Sequence, residues 1–104
     1  MVQQLIWAGL AAMTMAACAT AVRYTLQDRF RAIGIPGETA DCMVGELEDR
    51  LSGDDLQDLA RYTLNLTRAD STFAAIRSLM RIDNPRAVKA VGASGLTCVT
   101  GFRL

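Results

Sequence analysis

The sequence predicts an all-α protein, a small bundle of four to five short helices behind an N-terminal apolar signal or anchor helix. Three observations predict this fold class. Apolar residues after residue 22 recur at the spacing of a buried helix face, Ser and Asn caps precede those stretches, and the breaks between them are short. Residues 1–22 therefore form the signal or anchor segment, and residues 23–104 form a single small helical domain.

The first 22 residues contain no ionisable side chain, although the whole chain has 11 Lys and Arg and 11 Asp and Glu. Three interpretations of this segment place the domain in the cell envelope. Met15-Ala16-Ala17-Cys18 resembles the lipobox of bacterial lipoproteins, which makes Cys18 the candidate lipidation site. Small residues from Ala17 to Ala21 instead favour cleavage of a signal peptide, and the apolar run from Leu5 to Val22 is almost long enough for an uncleaved membrane anchor.

The charges that flank this segment leave a further interpretation open. The first four residues contain no Lys or Arg, whereas Arg23, Arg29 and Arg31 follow the apolar run. Positive residues favour the cytoplasmic side of a membrane, so an anchored protein with its domain in the cytoplasm is an alternative. The segment could also be a buried N-terminal helix.

The first two predicted helices are separated by a turn. The first covers Arg23 to Ile33 and ends at Gly34, because Ile35-Pro36-Gly37 is typical of a turn. Thr39 is the predicted N-cap of the second helix. The second helix has an apolar stripe at helical spacing, formed by Ala40, Met43, Val44, Leu47 and Leu51.

Capping patterns also begin the third and fourth helices. The S-x-x-D pattern at Ser52 predicts a third helix from about Gly53 to Arg68. Asp70 or Ser71 caps a fourth helix that continues to Ile82. The residues predicted to face the core from these two helices are Leu56, Leu59, Ala60, Thr63, Leu64, Phe73, Ile76, Leu79 and Met80.

The clearest boundary is Asn84-Pro85, an N-cap followed by proline in the first helical turn. The fifth helix is predicted to run from Pro85 to about Ala93, with Ala87, Ala90 and Val91 facing inward. Glycines and β-branched residues follow, so the segment from residue 95 to residue 102 is either a frayed helix or a short extended tail.

Cys42 and Cys98 remain as a pair in the domain if Cys18 is lipidated or removed. An even pair in a small exported domain favours a disulfide, with two free thiols or a redox pair as alternatives. Cys42 lies on the side of the second helix opposite the apolar stripe, and Gly45 one turn on would allow another backbone to come close. The C-terminal segment is therefore predicted to pack on this side and bring Cys98 to Cys42.

The composition argues against an enzyme and against a nucleic-acid partner. The chain has no His, which removes the commonest general base, the usual nucleophile–base pairs and most zinc sites. Its net charge is zero, so nothing indicates binding to nucleic acid. The acidic cluster lacks the ligand pattern of a calcium loop, and we expect no metal, no cofactor and no catalytic residue. That cluster consists of Glu46, Glu48, Asp49, Asp54, Asp55 and Asp58.

Charge is nevertheless divided along the domain. Residues 38–58 hold eight acidic residues against one Arg, and residues 61–89 hold six basic residues against two Asp. We expect these halves to face each other or to be solvated, because surface ion pairs are common and individually weak. The alternative is an acidic surface for a basic partner.

Three short stretches resemble small exported helical proteins of alphaproteobacteria. They are Asp41-Cys42-Met43 through Arg50-Leu51-Ser52, the helix start at Asp55-Leu56, and Leu96-Thr97-Cys98. The resemblance covers about residues 40–104. It implies a disulfide and an envelope address, and it implies no activity and no functional residues.

The favoured function is therefore that of a non-enzymatic, periplasmic-facing envelope protein, held at the membrane by its N-terminus, that binds another envelope protein or assists assembly. One alternative is a carrier of a small apolar ligand, with a pocket between helices lined by Met43, Phe73 and Met80. The other alternative is the membrane-anchored cytoplasmic regulator.

Overall fold

The computed structural model describes residues 20–101, and within that range it contains five helices and no strand. The all-α prediction is confirmed for this part of the chain. Cys18 lies outside the described residues, as does most of the predicted signal or anchor segment (residues 1–22). In the order of the chain the helices are α1 (20–32), α2 (Gly37–Arg50), α3 (Gly53–Thr63), α4 (Thr72–Leu79) and α5 (Pro85–Thr100). None of the helices in the described range is both long and apolar enough to cross a membrane.

The core is a single apolar cluster to which all five helices contribute. The stripe predicted for α2 is buried at Ala40, Met43, Val44 and Leu47, while Leu51 is partly buried at its edge. Helix α5 packs chiefly against α2 and also contacts α3 and α4. The largest fully buried apolar side chains are Leu26, Phe30, Ile33, Ile35, Met43, Leu47, Leu59 and Leu79.

The predicted N-caps Ser52 and Asn84 are confirmed, and of the two candidates for the fourth helix the cap is Ser71. The side-chain oxygens of Ser52, Ser71 and Asn84 each accept a hydrogen bond from the backbone N–H three residues later, at 3.1–3.3 Å. Each bond satisfies one of the backbone donors that a helix N-terminus leaves without a partner. Local sequence therefore determines where α3, α4 and α5 begin.

The predicted cap of α2 at Thr39 is wrong. This helix begins at Gly37, directly after Pro36, and has no side-chain cap. The Ala40 N–H donates to the Pro36 carbonyl at 2.8 Å, so the first helical bond already forms across the predicted turn. Proline in this position lacks an N–H that would need a partner and has a φ close to the helical value.

Helix α3 ends earlier than predicted, and Leu64 does not face the core. The helix ends at Thr63, and Leu64 is 60% exposed. The guanidinium of Arg29 explains the early end, since its Nη2 atom donates to the carbonyls of Thr63 at 3.0 Å and Leu66 at 3.3 Å. The chain after Thr63 tightens into i→i+3 bonds, in which the Leu66 N–H donates to the Thr63 carbonyl at 3.1 Å, and Arg29 of α1 supplies a second donor to that carbonyl.

Two large apolar residues in and directly after α4 are exposed rather than buried. Ala75, Ile76 and Leu79 are buried, whereas Phe73 is 71% exposed and Met80 is 38% exposed. Phe73 precedes Ala75 by two positions and therefore lies on nearly the opposite side of the helix. The prediction that Phe73 and Met80 belong to the core is wrong.

Helix α5 continues through most of the segment (residues 95–102) that was predicted to be either a frayed helix or a short extended tail. It ends at Thr100, and Gly101 then adopts the left-handed conformation (φ 76°) with its N–H donating to the Thr97 carbonyl. Gly95 is buried, and a Cβ atom placed on it would lie 3.2 Å from Ile76 Cδ1. The glycine that weakens the helical pattern allows α4 and α5 to approach each other closely.

The loop between α3 and α4 returns to the end of α1. Gly34 has a positive φ of 113°, which side-chain-bearing residues rarely adopt. The Ala69 N–H donates to the Ile33 carbonyl at 2.8 Å, and a Cβ atom on Gly34 would lie 3.0 Å from the Ala69 carbonyl oxygen. A glycine is therefore required at this position.

Candidate interaction groove

A disulfide fixes the C-terminal half of α5 on α2. The Sγ atoms of Cys42 and Cys98 are bonded, and their Cα atoms are 5.8 Å apart, as the sequence-based pairing requires. The expected role of Gly45 is wrong, because no atom outside its own helix lies within 4 Å of a Cβ placed there. The disulfide therefore forms without a close approach of another backbone at Gly45.

Another face of the same half of α5 forms an apolar groove with α4. The groove encloses about 350 Å³. Ile76 and Gly95 are buried at its base, and more exposed side chains from both helices stand around them. We call this feature the α4–α5 groove, and its lining residues are Phe73, Ile76, Met80, Gly92, Gly95, Leu96, Val99 and Thr100.

Most of the large apolar side chains exposed in residues 20–101 are at this groove. Six such residues are exposed, and four of them line the groove: Phe73, Met80, Leu96 and Val99. The other two, Tyr24 and Leu64, lie together at a more polar surface beside α1. Isolated exposed apolar residues are normal, but a contiguous group of them is typical of an interaction surface.

The groove has positive charge on its α4 side. The Arg77 guanidinium carbon lies 5.9 Å from the centre of the Phe73 ring, a cation–π distance that places the charge beside the exposed aromatic face. Arg81 follows Met80 and is also exposed. Neither α4 nor α5 contains an acidic residue. The α4–α5 groove is therefore an apolar surface next to basic side chains.

Asp55 belongs to a separate ion-pair cluster between the first turns of α3 and α5. Its carboxylate accepts two hydrogen bonds from Arg86, both at 2.9 Å, and one from Asn84 Nδ2 at 3.1 Å. Asn84 Nδ2 also donates to Asp58, at 3.1 Å. The Arg86 and Asn84 donors hold the pKa of Asp55 well below its usual range, and Asp55 in turn raises the pKa of Arg86. This arrangement joins two helix starts and accounts for Asp55 without a ligand.

Arginines also pair with other carboxylates of the acidic half. Two of these arginines, Arg23 and Arg31, lie in α1, outside the basic half (residues 61–89). The acidic half (residues 38–58) is joined to the basic half by the Asp55–Arg86 pair. Within residues 20–101 there is no grouping of three His, Cys, Asp or Glu side chains suited to a metal ion. The pairs are Glu48 with Arg23 at 2.6 Å, Asp41 with Arg31 at 3.0 Å, and Glu46 with Arg50 at 3.6 Å.

The pocket predicted for a ligand carrier is only partly present. Phe73 and Met80 line the α4–α5 groove, but Met43 does not, because it is fully buried in the stripe of α2. The α5 wall of the groove was missed, since the fifth helix was predicted to end near Ala93. The spacing of residues 92, 95, 96 and 99 is that of one helix face and could have revealed this wall.

Comparison with known proteins gives this groove no assigned role. No protein-family model matches the chain, and neither the curated proteins nor the solved structures compared with it gave a match.

Proposed function

We propose that this chain is a non-enzymatic interaction module of the cell envelope, whose α4–α5 groove binds an apolar segment of another protein. One observation carries the proposal: four of the six large exposed apolar side chains in residues 20–101 line one groove. Full burial of a fully exposed large apolar side chain is worth roughly 1.5–3 kcal/mol, and these four side chains are between 38% and 71% exposed. A partner that covers the groove recovers part of this free energy.

Two observations support the proposed location in the cell envelope. Residues 1–22 lack charge, which favours an export or anchor segment, and disulfides persist in oxidising compartments. Lipidation at Cys18 is the favoured form of attachment. Cys18→Ala should then release the protein from the membrane fraction or block its processing, whereas a full-length variant that stays membrane-bound would favour an uncleaved anchor.

A reporter fused to the C-terminus tests the side of the membrane. Phosphatase is active only in the periplasm, so activity of a phosphatase fusion would support the envelope module. The fluorescent reporter folds only in the cytoplasm, so fluorescence of that fusion would instead support the anchored cytoplasmic regulator.

Site-specific photo-crosslinking in cells tests the groove itself. A crosslinking residue at Val99, 54% exposed in the groove, should give a discrete adduct with another protein. The matched control places the same residue at Leu64, which is 60% exposed but lies outside the groove. Phe73→Ser should abolish the Val99 adduct. Identical adducts from both positions, or none from Val99, would contradict the proposal.

The volume of the groove supports a second candidate function. About 350 Å³ lies at the lower end of the range for small-ligand pockets, so a carrier of a small apolar molecule is the rival proposal. Native mass spectrometry of the full chain extracted from the envelope distinguishes the two. A carrier should retain a bound small molecule, and Gly95→Leu should remove it.

A further inference from the structure

The dimensions of the α4–α5 groove match a short stretch of helix. Its α5 wall runs from Gly92 to Thr100, and the eight helical steps between these residues rise about 12 Å, or a little over two turns. A partner helix presents apolar residues at positions i, i+3, i+4 and i+7 over the same length. Such a face would meet Phe73 and Met80 on one side and Leu96 on the other.

Other modes of peptide recognition fit this groove less well. Residues 20–101 contain no strand, so this part of the chain offers no sheet edge to which an extended peptide could add. Grooves for proline-rich peptides are lined by several aromatic rings, whereas Phe73 is the single aromatic residue here. A helix laid into the groove remains as the mode that the geometry supports.

Charge then specifies the partner further. Arg77 lies beside the Phe73 ring, Arg81 is exposed after Met80, and both walls of the groove lack acidic residues. A partner with basic residues beside its apolar face would meet like charge, and one with acidic residues would meet opposite charge.

Resting on the proposed function, we infer that the partner of the α4–α5 groove is an amphipathic helix whose apolar face is flanked by acidic residues. The apolar face supplies binding and the acidic flank supplies selectivity. Each exposed ion pair is weak, so Arg77 and Arg81 together should change affinity by about 2- to 30-fold.

Three synthetic peptides of about four helical turns test this inference. They share the same leucine face and differ only in the flanking residues, which are all Glu, all Gln or all Lys. Their binding to the full chain in nanodiscs of zwitterionic lipid is measured by fluorescence anisotropy. We expect the Glu peptide to bind most tightly and the Lys peptide most weakly, with the difference shrinking as salt is added.

A double variant checks that the preference comes from the groove. Arg77→Gln with Arg81→Gln should bring the Glu peptide to the affinity of the Gln peptide. The matched control, Arg61→Gln with Arg68→Gln, removes two exposed basic residues from α3 and the loop after it and should leave the preference intact.

The outcomes separate this inference from the proposed function. Equal binding of all three peptides would refute the acidic flank and leave apolar docking standing. Binding of none would overturn both. In nanodiscs that contain anionic lipid, loss of Glu-peptide binding together with a blue-shifted emission of Phe73→Trp, made in a Trp7→Phe chain so that it is the single Trp, would show that lipid occupies the groove, which also overturns the inference.

Discussion

Removing the Cys42–Cys98 disulfide should cost the domain a large part of its stability. The bond closes a loop with a sequence separation of 56 residues. On the chain-entropy model such a loop contributes about 4 kcal/mol, within the ~2–5 kcal/mol typical of native disulfides in small domains. A domain of this size loses about 4–8 °C in Tm per kcal/mol, so Cys42→Ser with Cys98→Ser should lower the Tm by about 16–32 °C.

Thermal unfolding followed by far-UV circular dichroism measures this change. Adding reductant to the wild-type chain should reproduce the Tm of the double variant, and the double variant should not respond to reductant. Cys18→Ser is the matched control, because it replaces the third cysteine of the chain and leaves the Cys42–Cys98 pair intact. A double variant whose Tm falls no further than that of this control would refute the reasoning.

The local consequence can be measured separately. The disulfide fixes the half of α5 that forms one wall of the groove, so reduction should first loosen residues 92–100. Hydrogen exchange of the amides in this segment should therefore accelerate before exchange in α2. Uniform acceleration throughout the domain would contradict this order.

Other substitutions test the ion-pair cluster and the glycines. The pKa of Asp55 is depressed by folding, so its contribution to stability is present above the unfolded pKa of about 3.9 and is lost as the pH falls further. Asp55→Asn should lower the Tm at pH 7 and flatten the acid limb of a Tm–pH profile, while Asp54→Asn, an exposed neighbour in the same turn, should keep that limb. Gly45→Ala should raise stability by about 0.5–1 kcal/mol in urea unfolding, since the position is helical and open. Gly95→Leu should lower stability by about 1–3 kcal/mol, because the base of the groove has no room for the side chain. Gly34→Ala should cost about 1–3 kcal/mol through its positive φ, and an unchanged unfolding midpoint would contradict that assignment.

The features predicted correctly are those with a local signal. The caps at Ser52, Ser71 and Asn84 depend on residues within one helical turn, and the stripe of α2 depends on the helical period. Both signals are contained in short windows of sequence. The number of helices and most of their starts could therefore be predicted.

The features that were missed depend on distant residues. Gly95 weakens a helix locally, but its contact with Ile76, 19 positions away, is made possible by the absence of a side chain. The Asp55–Arg86 pair spans 31 positions, and no local pattern distinguishes Asp55 from its acidic neighbours. Phe73 lies at helical spacing from Ile76 and Met80, which predicts a shared buried face. Its exposure follows from how α4 packs on the other helices, which the local sequence does not show.

The disulfide also determines how the chain carries mechanical tension. A pull between the N-terminus and the C-terminus follows residues 1–42, crosses from Cys42 to Cys98, and bypasses the backbone between them. Helices α3 and α4, the Asp55–Arg86 pair and most of α5 lie in the bypassed stretch. If the protein is tethered at its N-terminus and loaded at its C-terminus, the bonded sulfurs bear the force, while the greater part of the α4–α5 groove stays unloaded and keeps its shape.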